Sequence, residues 1–198
     1  MFKNIISDLD SYAFKRGIPK LFCFIVPVLY PTSWPIIVYR IAFFIKRKIK
    51  IPIIRHILIF ILFILKRLIE ILTTVQISED AEIGKGIYIA HLGSIVIAQG
   101  SKIGDHASIH QDVTIGGSGR NVSYGKPRIG NRVYFSAGAK IIGNIKIGDD
   151  VVIGANSVVI KNVPDNATVF GIPAEVINLW GSSDYIHFRG KTKKTKVK

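Results

Sequence analysis

Two short polar segments of this chain carry residue types that chemistry needs. The first lies between Ile89 and Ile97 and contains His91, and an imidazole is a side chain able to accept a proton from a substrate. The second, residues 116–128, reads GGSGRNVSYGKPR and is too polar and glycine-rich to form core. Such a loop is a candidate binding element when a rigid scaffold holds it. We therefore turn to the scaffold that must position both segments.

The scaffold over residues 77–164 is a six-residue repeat of large apolar side chains. The repeated positions are Ile77, Ile83, Ile89, Ile97, Ile103, Ile109, Ile115, Ile129, Phe135, Ile141, Ile147, Ile153 and Val159. Glycine or another small residue often follows, as in IGKG, IGDH, IGNR and IGDD. A helix has a period of about 3.6 residues and a flat strand a period of about two, so neither explains this pattern.

A triangular solenoid does explain the pattern. Each hexad supplies one short strand with its apolar side chain inward, the small residue permits the corner, and three hexads make one coil. Stacked coils bury a continuous column that no single repeat could bury alone. The sequence thus predicts a mainly β fold in which a parallel β-helix over residues 76–178 follows an α-helical region, residues 1–75, and precedes a basic tail, residues 179–198.

The repeat is interrupted at the two polar segments and nowhere else. The step from Ile89 to Ile97 is eight residues, and the step from Ile115 to Ile129 is fourteen. Insertions in a solenoid map to loops on one face, which is often the binding face. The interruptions are therefore where we look for function.

The ordered motifs in and around these interruptions resemble one family. The stretches IGKGIYIAH, VTIGGSG, PRIGNRVYFSAGAK, IGANSVV and FGIPA are similar to the serine acetyltransferase branch of the hexapeptide-repeat acyltransferases, and especially to members that acetylate sugars of capsule, exopolysaccharide or O-antigen. The resemblance covers about half of the chain. It implies a left-handed coil, a homotrimer with sites between subunits, acetyl-CoA as co-substrate and no metal.

The resemblance also implies roles for particular residues. His91 becomes the general base that takes the proton of an acceptor hydroxyl as it attacks the thioester, and the glycine-rich loop supplies donors for the oxyanion. The residues implied to bind the donor are Gly116, Gly117, Arg120, Ala137, Gly138, Ala155, Lys161 and Gly171, with Arg120 or Lys161 meeting its phosphates. Glu175 departs from the basic residue usual after GIPA.

Other departures lie on the acceptor side. Serine-specific members have Asp directly before the catalytic histidine, another Asp in the preceding coil and a His in the long loop. Here Ala90 and Gln76 occupy the first two positions, and Tyr124 or Gly125 stands near the third. We interpret Gln76 as a residue that orients His91, and Tyr124 and Lys126 as acceptor-binding residues.

These departures lead to the expectation of a sugar hydroxyl of a cell-surface polysaccharide, or of its precursor, as acceptor. The alternative is a serine O-acetyltransferase of cysteine biosynthesis. Two further hypotheses stay open: a metal-dependent hydratase using His106 and His110, and a trimeric scaffold without catalysis.

The net charge of +14 is distributed unevenly. Residues 1–75 carry +9, residues 76–178 are neutral, and residues 179–198 carry +5. A neutral folded middle argues against nucleic acid as partner, because a nucleic-acid surface needs folded basic residues. A single cysteine, Cys23, and the absence of a signal-peptide pattern predict a cytoplasmic setting.

The apolar, basic N-terminal region allows several interpretations. A helix is expected from Pro52 to residue 72. The apolar residues 34–45 lead into a basic cluster, and Pro27 and Pro31 interrupt the apolar run before them. The region could cap the solenoid or form trimer contacts, or residues 20–72 could lie at the inner face of an anionic membrane. A membrane span is the third alternative.

Overall fold

The computed structural model describes residues 1–118 and 125–189. Its N-terminal region is helical: α1 (Phe2–Lys15), α2 (Val26–Leu29), α3 (Trp34–Lys48) and α4 (Pro52–Thr73), with 3-10 turns at Lys20–Ile25 and Pro31–Ser33. Proline in the first turn of α4 costs no hydrogen bond, because the first four N–H groups of a helix have no partner within it. The expected helical N-terminal region is confirmed, and the helix expected from Pro52 is α4.

The length and apolarity of the helices bear on the third alternative for this region, a membrane span. Within the described part of the chain, no single helix is long and apolar enough to cross a membrane. The segments Lys20–Leu29 and Pro31–Lys48 meet the length and composition criteria only as a pair, and they are bent by 99° at the break between them.

The rest of the described chain forms fifteen short strands: β1 (Val75–Ile77), β2 (Glu82–Ile83), β3 (Tyr88–Ile89), β4 (Ile95–Ile97), β5 (Lys102–Ile103), β6 (Ser108–Ile109), β7 (Thr114–Gly116), β8 (Arg128–Ile129), β9 (Tyr134–Phe135), β10 (Lys140–Ile142), β11 (Lys146–Ile147), β12 (Val152–Ile153), β13 (Val158–Val159), β14 (Thr168–Gly171) and β15 (Ala174–Asn178). They pair into three sheets. Sheet 1 is β1-β4-β7-β10-β13, sheet 2 is β2-β5-β8-β11, and sheet 3 is β3-β6-β9-β12-β14-β15. Successive strands visit the three sheets in turn, so the predicted parallel β-helix with three hexads per coil is confirmed.

The apolar column survives both interruptions of the repeat. In sheet 1, Ile77 pairs with Ile97, Ile97 with Ile115, and Ile115 with Ile141. The extra residues of the eight- and fourteen-residue steps therefore leave the sheet at corners and do not shift its register. A one-residue slip would turn every inward side chain toward solvent, and the buried column opposes it.

The small residues of the IG motifs lie at the corner between sheets 2 and 3, which we call the glycine edge: Gly84, Gly104, Gly130 and Gly148. A Cβ on Gly104 would stand 2.6 Å from the carbonyl oxygen of Gly130 in the next coil. Side-chain oxygens bridge the coils here: the Lys85 N–H donates to Asp105 Oδ1, and the Asp105 N–H donates to Asn131 Oδ1, both at 2.9 Å. Glycine is thus required by close stacking.

Helices α1 and α3 cover the first coil. Arg40 and Asp8 form a buried ion pair, with Nε and Oδ2 2.9 Å apart. Arg40 Nη1 also donates to the Ile83 carbonyl at 2.6 Å, while the Ile87 N–H donates to Asp8 Oδ1 at 3.0 Å. Tyr12 Oη accepts from the Ile89 N–H at 3.0 Å. Side chains of the helices therefore satisfy backbone groups that an open sheet edge would expose.

The opposite end of the solenoid closes differently. β15 turns back antiparallel onto β14, which ends the parallel stacking. Beyond it, Ser182 Oγ donates to the Arg132 carbonyl at 2.6 Å, and Ile186 is buried. Arg189 Nε lies 3.0 Å from Asp10 Oδ1 of α1. The first part of the predicted basic tail thus packs back on the fold, and the part from residue 190 on lies outside the described residues.

Candidate active site

The predicted site residues are divided between two edges of the solenoid. The corner where the chain passes from sheet 3 to sheet 1, the histidine edge, carries His91, Ala137, Gly138 and Ala155. The corner from sheet 1 to sheet 2, the loop edge, carries Gly116, Gly117, Lys126 and Lys161. Sheet 1 separates the two edges within one chain.

The histidine edge is a continuous ladder of backbone contacts. The Gly138 N–H donates to the Gln111 carbonyl at 3.0 Å, and the Asn156 N–H donates to the Ala137 carbonyl at 2.9 Å. Gly138 has a φ of 76°, and a Cβ there would collide with the side chain of Asn156. His91 stands one coil before Gln111 on this ladder. The structure therefore brings the predicted base and three predicted donor-binding residues into one column.

The bulge that holds His91 has a defined shape. Gly93 adopts a φ of 151°, and a Cβ on it would lie 2.6 Å from the Cβ of Gln111 in the next coil. His91 and Leu92 are exposed at the outer surface of this turn. The extra residues of the eight-residue step thus project the imidazole outward from the scaffold.

The loop edge has one tight approach. A Cβ on Gly117 would stand 2.6 Å from the ammonium Nζ of Lys126, so glycine at 117 leaves space for that side chain. Gly116 is buried, and Lys161 is exposed at the same edge two coils further on. Arg120 and Tyr124, predicted to bind donor and acceptor, lie outside the described residues.

Two other predicted site residues, Gln76 and Gly171, lie outside these two edges. Gln76 is exposed on β1 in sheet 1, and among the described residues no hydrogen bond joins it to His91. Its role in orienting His91 stays a prediction. Gly171 ends β14 in the last coil, with a φ of 107°, and its N–H donates to Ser157 Oγ at 3.2 Å.

Next to His91 lies a row of rings, of which the sequence analysis had named only His110, as a candidate metal ligand. The centroid of the His91 ring is 5.8 Å from that of His110, which is 4.9 Å from that of Tyr134. Tyr134 in turn lies 4.9 Å from Tyr185. Burial lowers the pKa of His110, and the charges of His91 and Lys15 lower it further. A neutral His110 can exchange hydrogen bonds with a ligand without adding charge.

Lys15 of α1 reaches the same face of sheet 3. Its Nζ lies 3.9 Å from the centroid of the Tyr88 ring and 3.3 Å from Ser108 Oγ. Burial lowers the pKa of Lys15 to about 8. The six-residue register could have indicated Tyr88, Ser108 and Tyr134, since each directly precedes an inward residue in sheet 3, but no local pattern points to Lys15.

His91 has no acidic partner among the described residues. No ion pair or hydrogen bond in that part of the chain joins its imidazole to a carboxylate. The position directly before it is Ala90, and Gln76 is exposed on another sheet. An exposed imidazole beside a neutral histidine suits proton acceptance from a bound hydroxyl.

The two histidines considered for a metal have different surroundings. The His106 ring stacks on Phe188 with centroids 3.8 Å apart, whereas His110 is tilted against His91 and Tyr134. Among the described residues, no three His, Cys, Asp or Glu side chains are grouped so that they could hold a metal ion.

Comparison with known proteins identifies the lineage of the solenoid. Residues 126–161 match the bacterial transferase hexapeptide (six repeats) family. The chain is 36% identical over 182 residues to a serine acetyltransferase of Synechococcus elongatus, covering 89% of this chain and 69% of that protein. It is 46% identical over 105 residues to a serine acetyltransferase of Staphylococcus aureus and spans about half the length of that relative, 49%.

A solved structure has the same architecture. The serine acetyltransferase of Brucella abortus strain S19 in complex with coenzyme A superposes with a TM-score of 0.75 at 30% identity, over 90% of this chain and 68% of that one. The helical region is thus included in the match, as it is in the alignment with the Synechococcus protein. The predicted acyltransferase class, with acetyl-CoA as co-substrate, is confirmed at the level of the family.

The prediction of a polysaccharide acceptor is wrong. It relied on departures at a few positions, Ala90, Gln76 and the long loop, whereas the similarity to serine acetyltransferases extends over 182 residues. Side chains at a few sites carry little weight against similarity over 182 residues of the chain. The alternative, a serine acetyltransferase, fits the comparisons better. The chain belongs to the serine acetyltransferase family of hexapeptide-repeat transferases.

Proposed function

We propose that the chain transfers the acetyl group of acetyl-CoA to the hydroxyl of serine. The observation that carries the proposal is the histidine edge, where His91 shares one column with Ala137, Gly138 and Ala155. Similarity to serine acetyltransferases over most of the chain supports the choice of serine.

His91 acts as the base in this reaction. Its imidazole takes the proton of the serine hydroxyl as the oxygen attacks the thioester carbonyl carbon, and a tetrahedral intermediate forms. The C–S bond then breaks, the acetyl group stays on the serine oxygen, and the thiolate of coenzyme A leaves with the proton from the imidazolium. Backbone N–H groups of the glycine-rich loop stabilise the oxyanion.

The donor occupies the histidine edge. The small side chains of Ala137 and Ala155 and the glycine at 138 leave the backbone accessible to the pantetheine arm, and Lys161 at the loop edge meets phosphate as a cation. Arg120, Gly116, Gly117 and Gly171 belong to the same proposed donor site.

Lys126 holds the acceptor in this proposal. Serine carries a carboxylate, and a half-buried ammonium at the loop edge provides its counter-charge. Tyr124 is assigned to the same acceptor site.

The complete site needs a second copy of the chain. The histidine edge and the loop edge lie on opposite sides of sheet 1, so a ligand that meets both edges has to bridge two subunits. A homotrimer places the histidine edge of one subunit beside the loop edge of the next. Cyclic assembly of this kind repeats one heterologous contact three times and closes.

The decisive measurement is acetyl-CoA consumption by the purified full chain. L-Serine is compared with monosaccharides, nucleotide sugars and oligosaccharides, and thiol release is followed together with the mass of the product. We expect O-acetylserine and thiol in equal amounts. Turnover of a sugar without turnover of serine would contradict the proposal.

The base is tested by substitution. His91→Ala should lower turnover by about 10²- to 10⁴-fold, the usual contribution of a positioned base. His56→Ala, at an exposed histidine of α4, is the matched control and should keep full activity. Equal activity of the two variants would reject His91 as the base, and mass measurement in solution checks that both retain the assembly of the wild type.

A further inference from the structure

Helix α4 has an apolar surface that the fold leaves uncovered. Residues 57–65 are aliphatic or aromatic without exception. The helix contacts α3 and β1 through one stripe, whose partly or fully buried members are Arg55, Leu58, Leu62, Lys66, Ile69, Glu70 and Thr73. The other apolar side chains of α4 are exposed. A helix that is apolar all round belongs inside a protein or in contact with lipid.

Four strongly exposed apolar side chains form a row opposite that stripe. At about 100° per residue, Ile53, Phe60, Ile64 and Ile71 lie within about 40° of one another around the helix. Their exposed fractions are 75%, 65%, 56% and 76%. Monomeric soluble proteins rarely expose a continuous patch of this kind, and such patches mark interaction surfaces.

Basic residues lie directly before this row, in the last turn of α3 and in the short connection to α4. Lys46 is paired with Asp80 at 2.7 Å, and Arg47 lies 3.9 Å from Glu82. Lys48 and Lys50 are exposed, and no ion pair within the described residues involves either of them. Cations of this turn thus remain available beside an apolar helix.

We propose that α4 binds along the headgroup region of an anionic lipid bilayer. In this arrangement the row from Ile53 to Ile71 enters the boundary of the acyl chains, and Lys48 and Lys50 meet anionic headgroups. Arg55 and Lys66 interrupt the apolar run, so the helix lies in the plane of the surface.

Charge favours lipid over a second copy of the chain as the occupant. Residues 1–75 carry +9, so two copies packed through α4 would bring two positively charged regions together. An anionic surface neutralises the same cations and also receives the apolar row. The inference does not depend on the acceptor of the acetyl group, because α4 contributes no residue to the proposed site.

The test uses the full chain and vesicles of two compositions, pure phosphatidylcholine and phosphatidylcholine with about a third phosphatidylglycerol. Co-sedimentation should show binding to the anionic vesicles, with weaker binding at high salt because exposed charges are screened. The double variant Phe60→Gln/Ile64→Gln should lower the partition coefficient at least tenfold. Phe2→Gln, at a phenylalanine of α1 that is 73% exposed, should leave it unchanged.

The charge contribution has its own variant. Lys48→Gln/Lys50→Gln should weaken binding to anionic vesicles by about fivefold per lysine, from roughly 1 kcal/mol for each cation near such a surface. Circular dichroism verifies that each variant is folded, and serine turnover in lipid-free buffer should be the same in all of them. A protein that binds lipid but lacks turnover would reject the proposed function alone.

Three outcomes would overturn the proposal. The first is absence of the wild-type chain from the anionic vesicle pellet. The second is equal loss of binding in the Phe2 and Phe60/Ile64 variants, which indicates non-specific adhesion. The third combines two results: the Phe60/Ile64 variant forms a smaller assembly than the wild type in lipid-free buffer, and the wild type does not bind lipid. Together they would assign α4 to contacts between copies of the chain.

Discussion

The solenoid and the helical region before it use the same aliphatic residues in opposite ways. In the solenoid, isoleucines at six-residue intervals are buried in a column, and polar residues occupy the outer surface. In α4, isoleucines and phenylalanines point outward, while the stripe that packs on the fold includes Arg55 and Lys66. Composition alone therefore does not decide which aliphatic residues are buried, because burial depends on what packs against each face of an element.

The two regions meet through polar contacts in the first coil. Asp8, Tyr12 and Arg40 bind backbone groups of residues 83–89, which are more than forty positions away from each of them. This joint lets a neutral, regular scaffold and a basic, apolar region form one body. Substitutions at the joint and on the two kinds of aliphatic surface should therefore differ in their effect on stability.

The largest effect is expected at the joint itself. Arg40→Leu leaves the buried carboxylate of Asp8 without its counter-charge and two carbonyls of the first coil without a donor, so the free energy of unfolding should fall by about 3–5 kcal/mol. Urea denaturation at fixed protein concentration measures it. The double variant Asp8→Asn/Arg40→Leu removes the charge as well and should recover part of the loss. A loss below about 1 kcal/mol in the single variant would show that the helices are held by other contacts.

A matched pair of substitutions tests the contrast between the two aliphatic surfaces. Ile141→Ala opens a cavity in the solenoid column, where the side chain is fully buried, and should cost about 2–5 kcal/mol. Ile64→Ala removes the same atoms from a side chain that is 56% exposed and should change the free energy of unfolding by at most about 0.5 kcal/mol. Similar losses at both positions would mean that α4 is buried in the assembly.

A smaller effect is expected at the tyrosine that covers the edge of β3. Tyr12 Oη donates to the Thr32 carbonyl at 2.9 Å and accepts from the Ile89 N–H. Tyr12→Phe keeps the ring and leaves that buried N–H without a partner, at a cost of about 1–3 kcal/mol in the free energy of unfolding. Tyr185→Phe, at a tyrosine that is 51% exposed, is the control and should be nearly neutral. Equal stability of the two variants would argue against backbone capping by α1.

The smallest effect is a pH dependence at Lys15. Burial lowers its pKa from 10.5 to about 8 in the folded protein, so between about pH 8 and 10.5 the unfolded chain holds a proton that the folded chain has released. The contribution of Lys15 to stability is therefore least favourable below pH 8 and improves as the pH rises through that window. The urea midpoint of the wild type, measured relative to that of Lys15→Met, should therefore be higher at pH 9.5 than at pH 7.5. Lys20→Met serves as the exposed control, and a constant difference for Lys15→Met would contradict the expectation.

Much of the fold could be predicted because its signals are local and repeated. An inward isoleucine followed by a glycine specifies a strand and a corner within six residues, and thirteen repetitions of the large apolar position make the solenoid recognisable despite two insertions. The start of α4 at Pro52 was also predicted, since proline is tolerated in the first turn. The candidate base His91 was found because an insertion in a regular repeat marks a functional turn.

The remaining site residues could not be found in this way. Lys15 reaches Ser108 across 93 positions, and no period links an N-terminal helix to the sixth strand. The repeat register places Tyr134 on sheet 3, directly before the inward Phe135, but does not show that its ring lies beside that of His110. His110 was considered only as a metal ligand. The acceptor was predicted wrongly because three local departures were given more weight than the similarity of the whole chain.

By itself the sequence determined the three-strand coil, the column and the positions of the two interruptions, because each depends on neighbours within one or two hexads. Only the tertiary structure decided that His91, Ala137, Gly138 and Ala155 share one edge while Lys126 lies on another, and that α4 turns its apolar row away from the fold. The physical reason is that a repeat encodes how a coil stacks on the next coil. Which edge faces a ligand, a second subunit or a lipid surface depends on contacts between residues that are distant in the chain.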